Sequence, residues 1–122
     1  MYGVGAVCEH EAMVDTTSTE RIVIVAGART PVGRFDGAFR GTPAHELGAQ
    51  AVSAALDRSR VDPSRVGEVV IGAIGQVAGD AYIARRIALA AGLADDTPAF
   101  TVNRLCGSGL QSIWSAAQEL RW

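Results

Sequence analysis

Four β-branched residues in a row set the first constraint. Ile22, Val23, Ile24 and Val25 stand together within "RIVIVAGA" (Arg21–Ala28). Such side chains fit a pleated strand, and an unbroken apolar run of this length suits a strand covered on both faces, as in a parallel sheet. "VGEVVIGAI" (Val66–Ile74) and the shorter "PAFTV" (Pro98–Val102) repeat the signal. Between the runs the period turns helical. Thr42 followed by Pro43 opens a helix, with a hydroxyl to cap it and a proline for its first turn. Leu47, Ala51, Ala54 and Ala55 form its apolar stripe, and it ends near Arg58. Asp80 is placed to cap a second helix over Ala81–Ala91, with Ile83, Ile87 and Ala90 on one face and Gly92 just beyond its end. A third spans Cys106–Leu120, with Leu110, Ile113, Ala117 and Leu120 on one side. The order β-α-β-α-β-α predicts an α/β layer with right-handed crossovers.

Residues 1–20 show no clean period and read as a mobile N-terminal extension, leaving 21–122 as the folded unit. Met13 is the expected true start, with residues 1–12 an upstream addition. Composition excludes several functions. The net charge of −2 offers no basic field for nucleic acid or an anionic membrane. All 11 cations are arginine, so neither a P-loop nor a lysine Schiff base can form. No apolar run is long enough to cross a bilayer, and Glu9, His10 and Glu11 interrupt the start where a secretory signal would be apolar. Cys8, Cys106, His10 and His45 show no metal-ligand spacing. Two cysteines make no disulfide framework, so a reducing cytoplasm is expected.

One segment carries chemistry. "NRLCGSGLQS" (Asn103–Ser112) places Cys106 between a strand and a helix, followed by Gly107 and Gly109. Backbone N–H groups at a helix start favour a thiolate, and the glycines leave room for a carbonyl to approach the sulfur. An acyl-accepting nucleophile needs that combination. A buried structural cysteine beside small packing residues explains the same pattern. A dinucleotide fingerprint is the third reading, and Ser112 stands where its third glycine belongs.

"NRLCGSGLQS" resembles the acyl-enzyme cysteine motif of the thiolases. "ARTPVGRFDGAF", "HELGAQAVSAAL" and "PAFTVNRLCGSGLQSIWSAAQEL" resemble the same family in order and spacing, from about Arg21 to Leu120. The resemblance implies a partial N-terminal half of a five-layer α-β-α-β-α fold. It implies that Cys106 attacks an acyl-CoA thioester, and that the acyl group passes to the enolate of acetyl-CoA or, in reverse, to CoA. It implies acyl-CoA substrates, no metal or redox cofactor, and a homo-oligomeric dimer or tetramer. The family's catalytic histidine, second cysteine and asparagine motifs have no counterpart in these residues. The isolated chain is therefore expected to be inactive, and a truncated fragment or interaction module is the alternative. Arg85 aligns with the arginine of a "GQNPAR"-like stretch, though the residues before it differ. The rest read as structural. His45 is an exposed or packing residue, Arg29–Pro31 a turn, Phe35 and Phe39 loop anchors and Trp114 packing, with Trp122 exposed unless covered.

Overall fold

The computed structural model describes residues 21–121 and the backbone of Val4–Cys8. Its sheet is built around one apolar strand, β2 (Val66–Gly72), with β1 (Val4–Cys8) on one edge and β3 (Ala99–Val102) on the other. β3 runs parallel to β2, with Val69 opposite Ala99 and Gly72 opposite Val102. The helix α2 (Ile83–Ala90) connects them, while α1 (Ala44–Ser59) precedes β2 and α3 (Ser108–Glu119) follows β3.

Successive side chains of a strand point to opposite faces. Val69 and Ile71 accordingly join Val52 and Leu56 of α1 and Ile83 and Ile87 of α2 in the main core. Val70 points the other way and packs with Ala116 of α3, Phe100 and Val102. All of Val69, Val70 and Ile71 are at most 1% exposed.

The expected tail over residues 1–20 is corrected at Val4–Cys8. These residues form β1, antiparallel to β2, with Val4 opposite Ile71 and an irregularity between Val7 and Cys8. The open edge of β2 presents backbone donors and acceptors that need partners, and a nearby extended segment supplies them. The expectation for Met13 and for Trp122 lies outside the described residues. The strand expected at Arg21–Ala28 is absent: 21–34 contains neither helix nor strand, and Ile22–Val25 are 37–77% exposed. β2 has two edges, and β1 and β3 occupy both. The Arg58 guanidinium donates to the Gly27 carbonyl at 2.7 Å, tying this stretch to the end of α1.

The remaining elements lie where the periodicity places them, with shifted details. α1 begins at Ala44 behind Pro43, and no side chain caps it. Thr42 instead turns back, its N–H donating to the Phe39 carbonyl at 3.0 Å. Its buried residues are Gly48, Ala49, Val52 and Leu56, rather than the expected stripe. Gly48 faces Ile87 so closely that an added Cβ would lie 2.4 Å from the isoleucine Cδ1, so the helix contact selects the smallest residue. α2 buries Ile83 and Ile87 as expected, with Ala84 and Ala88 in place of Ala90. Asp80 lies in a short 3₁₀ turn (Ala78–Asp80) and does not cap it. Gly92 takes the left-handed conformation, φ 80°, expected at a helix end.

α3 inverts the expectation. It buries Ser108, Ser112 and Ala116, while Leu110 and Trp114 are 78% and 65% exposed. These small residues recur at every fourth position and allow the helix to approach the sheet backbone. At Gly72 a Cβ would lie 2.3 Å from the Ser108 carbonyl oxygen, so strand and helix backbones meet directly. Phe35 is fully exposed and anchors nothing, whereas the Phe39 ring lies over Gly33.

Candidate active site

Between β3 and α3 the backbone N–H and C=O groups of Arg104, Leu105 and Gly107 are all hydrogen-bonded. Asn103 leaves the end of β3 and donates from Nδ2 to the Ile74 carbonyl beyond β2, at 3.2 Å. Its Oδ1 accepts the Leu105 N–H at 3.0 Å, closing an Asx-turn. Leu105 has φ 48°, a left-handed conformation disfavoured for a branched apolar residue by roughly 1–2 kcal/mol. Its carbonyl accepts from the Ser108 N–H at 3.0 Å and from the Ser108 hydroxyl at 2.7 Å. The same hydroxyl oxygen accepts the Arg104 N–H at 2.8 Å. Ser108 is 3% exposed and sits on Gly72, so the turn is anchored to the centre of the sheet.

Cys106 follows Leu105 directly. It is an exposed free cysteine two residues ahead of α3. The buried structural cysteine considered from the sequence is therefore excluded by its exposure. Gly107 precedes the first residue of α3, and a Cβ there would lie 3.3 Å from the Arg104 carbonyl oxygen, close to the backbone of the turn. Arg104 reaches over the helix start and donates to Gln111 Oε1 at 2.8 Å. The arrangement presents a sulfur to solvent from a fixed backbone, beside the N-terminal end of a helix whose first N–H groups and dipole favour negative charge.

The other candidates stand apart from this turn. His45 lies in the first turn of α1, where its Nε2 faces the Arg86 guanidinium at 3.2 Å. Arg86 also donates to the Gly79 carbonyl at 2.6 Å, so the pair joins α1 to the loop before α2. Arg85 holds the loop before β3, donating to the carbonyls of Thr97 at 3.0 Å and of Asp95. Both arginines brace loops, and His45 packs between elements as expected. An open groove of about 490 Å³ runs along α1 past Gln50, Ser53 and Asp57 to Ala90, and includes no residue of the cysteine turn. Among the described residues no three His, Cys, Asp or Glu side chains are grouped to hold a metal.

Among the described residues, Glu68 of β2 is the one carboxyl raised above its ordinary value. Burial disfavours its charged form, and the like charge of Glu119 at the end of α3 adds to the effect. Asp62 is lowered, because it accepts from the Ser64 N–H and hydroxyl.

Sequence reasoning singled out Cys106 and passed over Asn103, Ser108 and Gly72, which the structure places around it. Asn103 carries a readable signal, since asparagine two residues before a turn amide forms Asx-turns. Gly72 carries none, because its role comes from a contact with the distant Ser108 backbone.

Comparison with known proteins identifies the family to which this strand, strained turn and helix belong. The sequence model of the thiolase N-terminal domain matches residues 22–122. A probable acetyl-CoA acyltransferase of Staphylococcus aureus is 43% identical over 100 residues, covering 82% of this chain and 25% of the relative. An acetyl-CoA acetyltransferase of Paracoccus denitrificans is 42% identical over 100 residues, covering 82% of this chain and 26% of its own length. The crystal structure of human mitochondrial 3-ketoacyl-CoA thiolase in complex with CoA superposes with a TM-score of 0.74 at 43% identity, over 78% of this chain and 24% of that one. The chain belongs to the thiolase family. It spans about a quarter of the length of these relatives. The dinucleotide reading is set aside, because the segment that suggested it belongs to the thiolase domain.

Proposed function

We propose that this chain carries the acyl-accepting site of an acyl-CoA C-acyltransferase, with Cys106 as the nucleophile. One observation supports the reading above the rest: Cys106 is a free, exposed thiol on a turn fastened to the sheet, within the matched thiolase domain. As a thiolate, Cys106 attacks the thioester carbonyl of an acyl-CoA. The carbon–sulfur bond to CoA then breaks and CoA leaves as a thiolate. Backbone N–H groups at the helix start, that of Cys106 included, are suited to stabilise the oxyanion of the tetrahedral intermediate. The acyl group then passes to the enolate of acetyl-CoA, giving a 3-oxoacyl-CoA. In reverse, CoA thiolysis splits such a product.

Forming that enolate requires a base, worth about 10²–10⁴-fold in rate. His45 faces Arg86 rather than the cysteine turn, so it is not assigned that step.

The test is peptide mass spectrometry after incubation with acetyl-CoA. An acetyl group on Cys106, absent from Cys106→Ala, is the expected result; an unmodified Cys106 overturns the assignment for this chain. The exposed Leu110 and Trp114 further support a homo-oligomer in which a second surface covers α3. A monomer by light scattering contradicts that. An exposed free thiol suits a reducing compartment such as the cytoplasm, and no helix among the described residues is long and apolar enough to cross a membrane. Cell fractionation that finds the protein in an oxidising compartment contradicts this placement.

A further inference from the structure

We propose that Asn103 is a positioning residue for Cys106, acting through the conformation of Leu105. The inference rests on the reading of Cys106 as nucleophile. Leu105 has φ 48° and is 69% exposed, so neither its own preference nor burial of its side chain holds it there. Two side chains do. Ser108 fixes its carbonyl from inside the fold, at 2.7 Å, and Asn103 fixes its N–H from outside, at 3.0 Å. Between them they clamp both peptide groups that flank the Leu105 φ and ψ angles. Asn103 is in turn tethered to the Ile74 carbonyl at 3.2 Å, so the clamp is referenced to the end of β2 rather than to the loop itself.

The consequence falls on the next residue. If Leu105 relaxes toward the right-handed or extended regions, the Cα–Cβ direction of Cys106 turns with the peptide plane that precedes it. The sulfur then moves relative to the amides of the helix start. Acyl transfer demands that the sulfur, the thioester carbon and the oxyanion donors line up, and small misplacements are costly. Alkylation by a small reagent has no such demand, because it can reach an exposed thiol from many directions. Asn103 thus controls where the sulfur points, and not whether it can be reached.

The experiment uses the full chain. Asn103 is exposed, so its replacement spares the core, unlike that of the buried Ser108. Asn103→Ala is expected to slow acetylation of Cys106 by acetyl-CoA by about tenfold, with iodoacetamide alkylation of the same thiol nearly unchanged. Asn103→Ser retains a neutral oxygen two residues before the Leu105 amide and is expected to recover most of the lost rate. Acetylation of Asn103→Ala at the unsubstituted rate, or an equal loss in Asn103→Ser, overturns the proposal. If the unsubstituted chain takes no acetyl group, the nucleophile reading fails for this chain, and the clamp is then decided by nuclear magnetic resonance of Leu105. A left-handed Leu105 that is lost in Asn103→Ala and kept in Asn103→Ser upholds the positioning role. A Leu105 unchanged in Asn103→Ala overturns it.

Discussion

Two β-branched runs in this molecule have nearly the same composition and opposite fates. Val69, Val70 and Ile71 lie at the centre of the sheet and are at most 1% exposed. Ile22–Val25 lie outside it and are 37–77% exposed. Intrinsic preference does not separate them, since both suit a pleated backbone. Position does. β2 is paired on both edges and covered on both faces, by α1 and α2 on one side and α3 on the other. Among the described residues no strand pairs with Ile22–Val25, and their neighbourhood is a loop tied to Arg58. A run of strand-forming residues states a demand for a partner, and the rest of the chain determines whether the demand is met.

The largest expected effect comes from truncating one side chain in each run. Ile71→Ala removes a fully buried group of the main core and is expected to cost about 2–4 kcal/mol. Ile24→Ala, 77% exposed before substitution, is expected to stay within about 0.5 kcal/mol. Urea denaturation of both variants checks the contrast; an equal loss shows that Ile24 is buried in solution and removes the distinction. Next come the glycines that follow the two runs. Gly72→Ala drives a Cβ into the Ser108 backbone and is expected to cost about 1–3 kcal/mol, with reduced acetylation of Cys106 because α3 is displaced. Gly27→Ala meets no atom within 4 Å and is expected to be neutral or stabilising by about 0.4–1 kcal/mol. Thermal melts distinguish them, and a tolerated Gly72→Ala argues against direct contact between β2 and α3.

The smallest effect is electrostatic. The folded state raises Glu68, so it holds that proton more tightly than the unfolded chain does. Stability is therefore lost as pH rises from the ordinary carboxylate value through the raised one, and is level above it. Glu68→Gln removes this dependence. Its stability relative to the unsubstituted chain is expected to grow across that window, by less than about 0.5 kcal/mol because solvent screens the group. A difference that shrinks with rising pH reverses the sign and refutes the assignment. The exposed Ile22–Val25 run contains no ionisable side chain to give a comparable signal.

Much of the fold is legible in the residues themselves. Val66–Gly72, Ile83–Ala90 and Ala99–Val102 form strand, helix and strand within the expected spans, because apolar periodicity reports which backbone geometry can bury its side chains. Gly92 ends its helix in the conformation that glycine adopts most readily. The position of the cysteine, too, is legible: Cys106 lies between β3 and α3, where the pattern of strand, thiol and small residues puts it. Faces are less legible than elements. In α3 the apolar residues Leu110 and Trp114 point away from the sheet, and Ser108, Ser112 and Ala116 point into it. Periodicity ranks side chains by hydrophobicity, whereas a close contact between backbones selects them by size.

The sequence by itself determined the α/β class, the run of elements from α1 to α3, the thiolase kinship and Cys106 as the residue to watch. Each follows from local patterns that the chain carries wherever it goes. Only the tertiary structure decided which run sits at the centre of the sheet, which face of α3 meets it, and how Asn103, Leu105 and Ser108 are fastened around the cysteine. Those outcomes depend on edges already filled, on a strand glycine and a helix backbone separated by more than thirty residues, and on hydrogen bonds that exist only once the two are in contact.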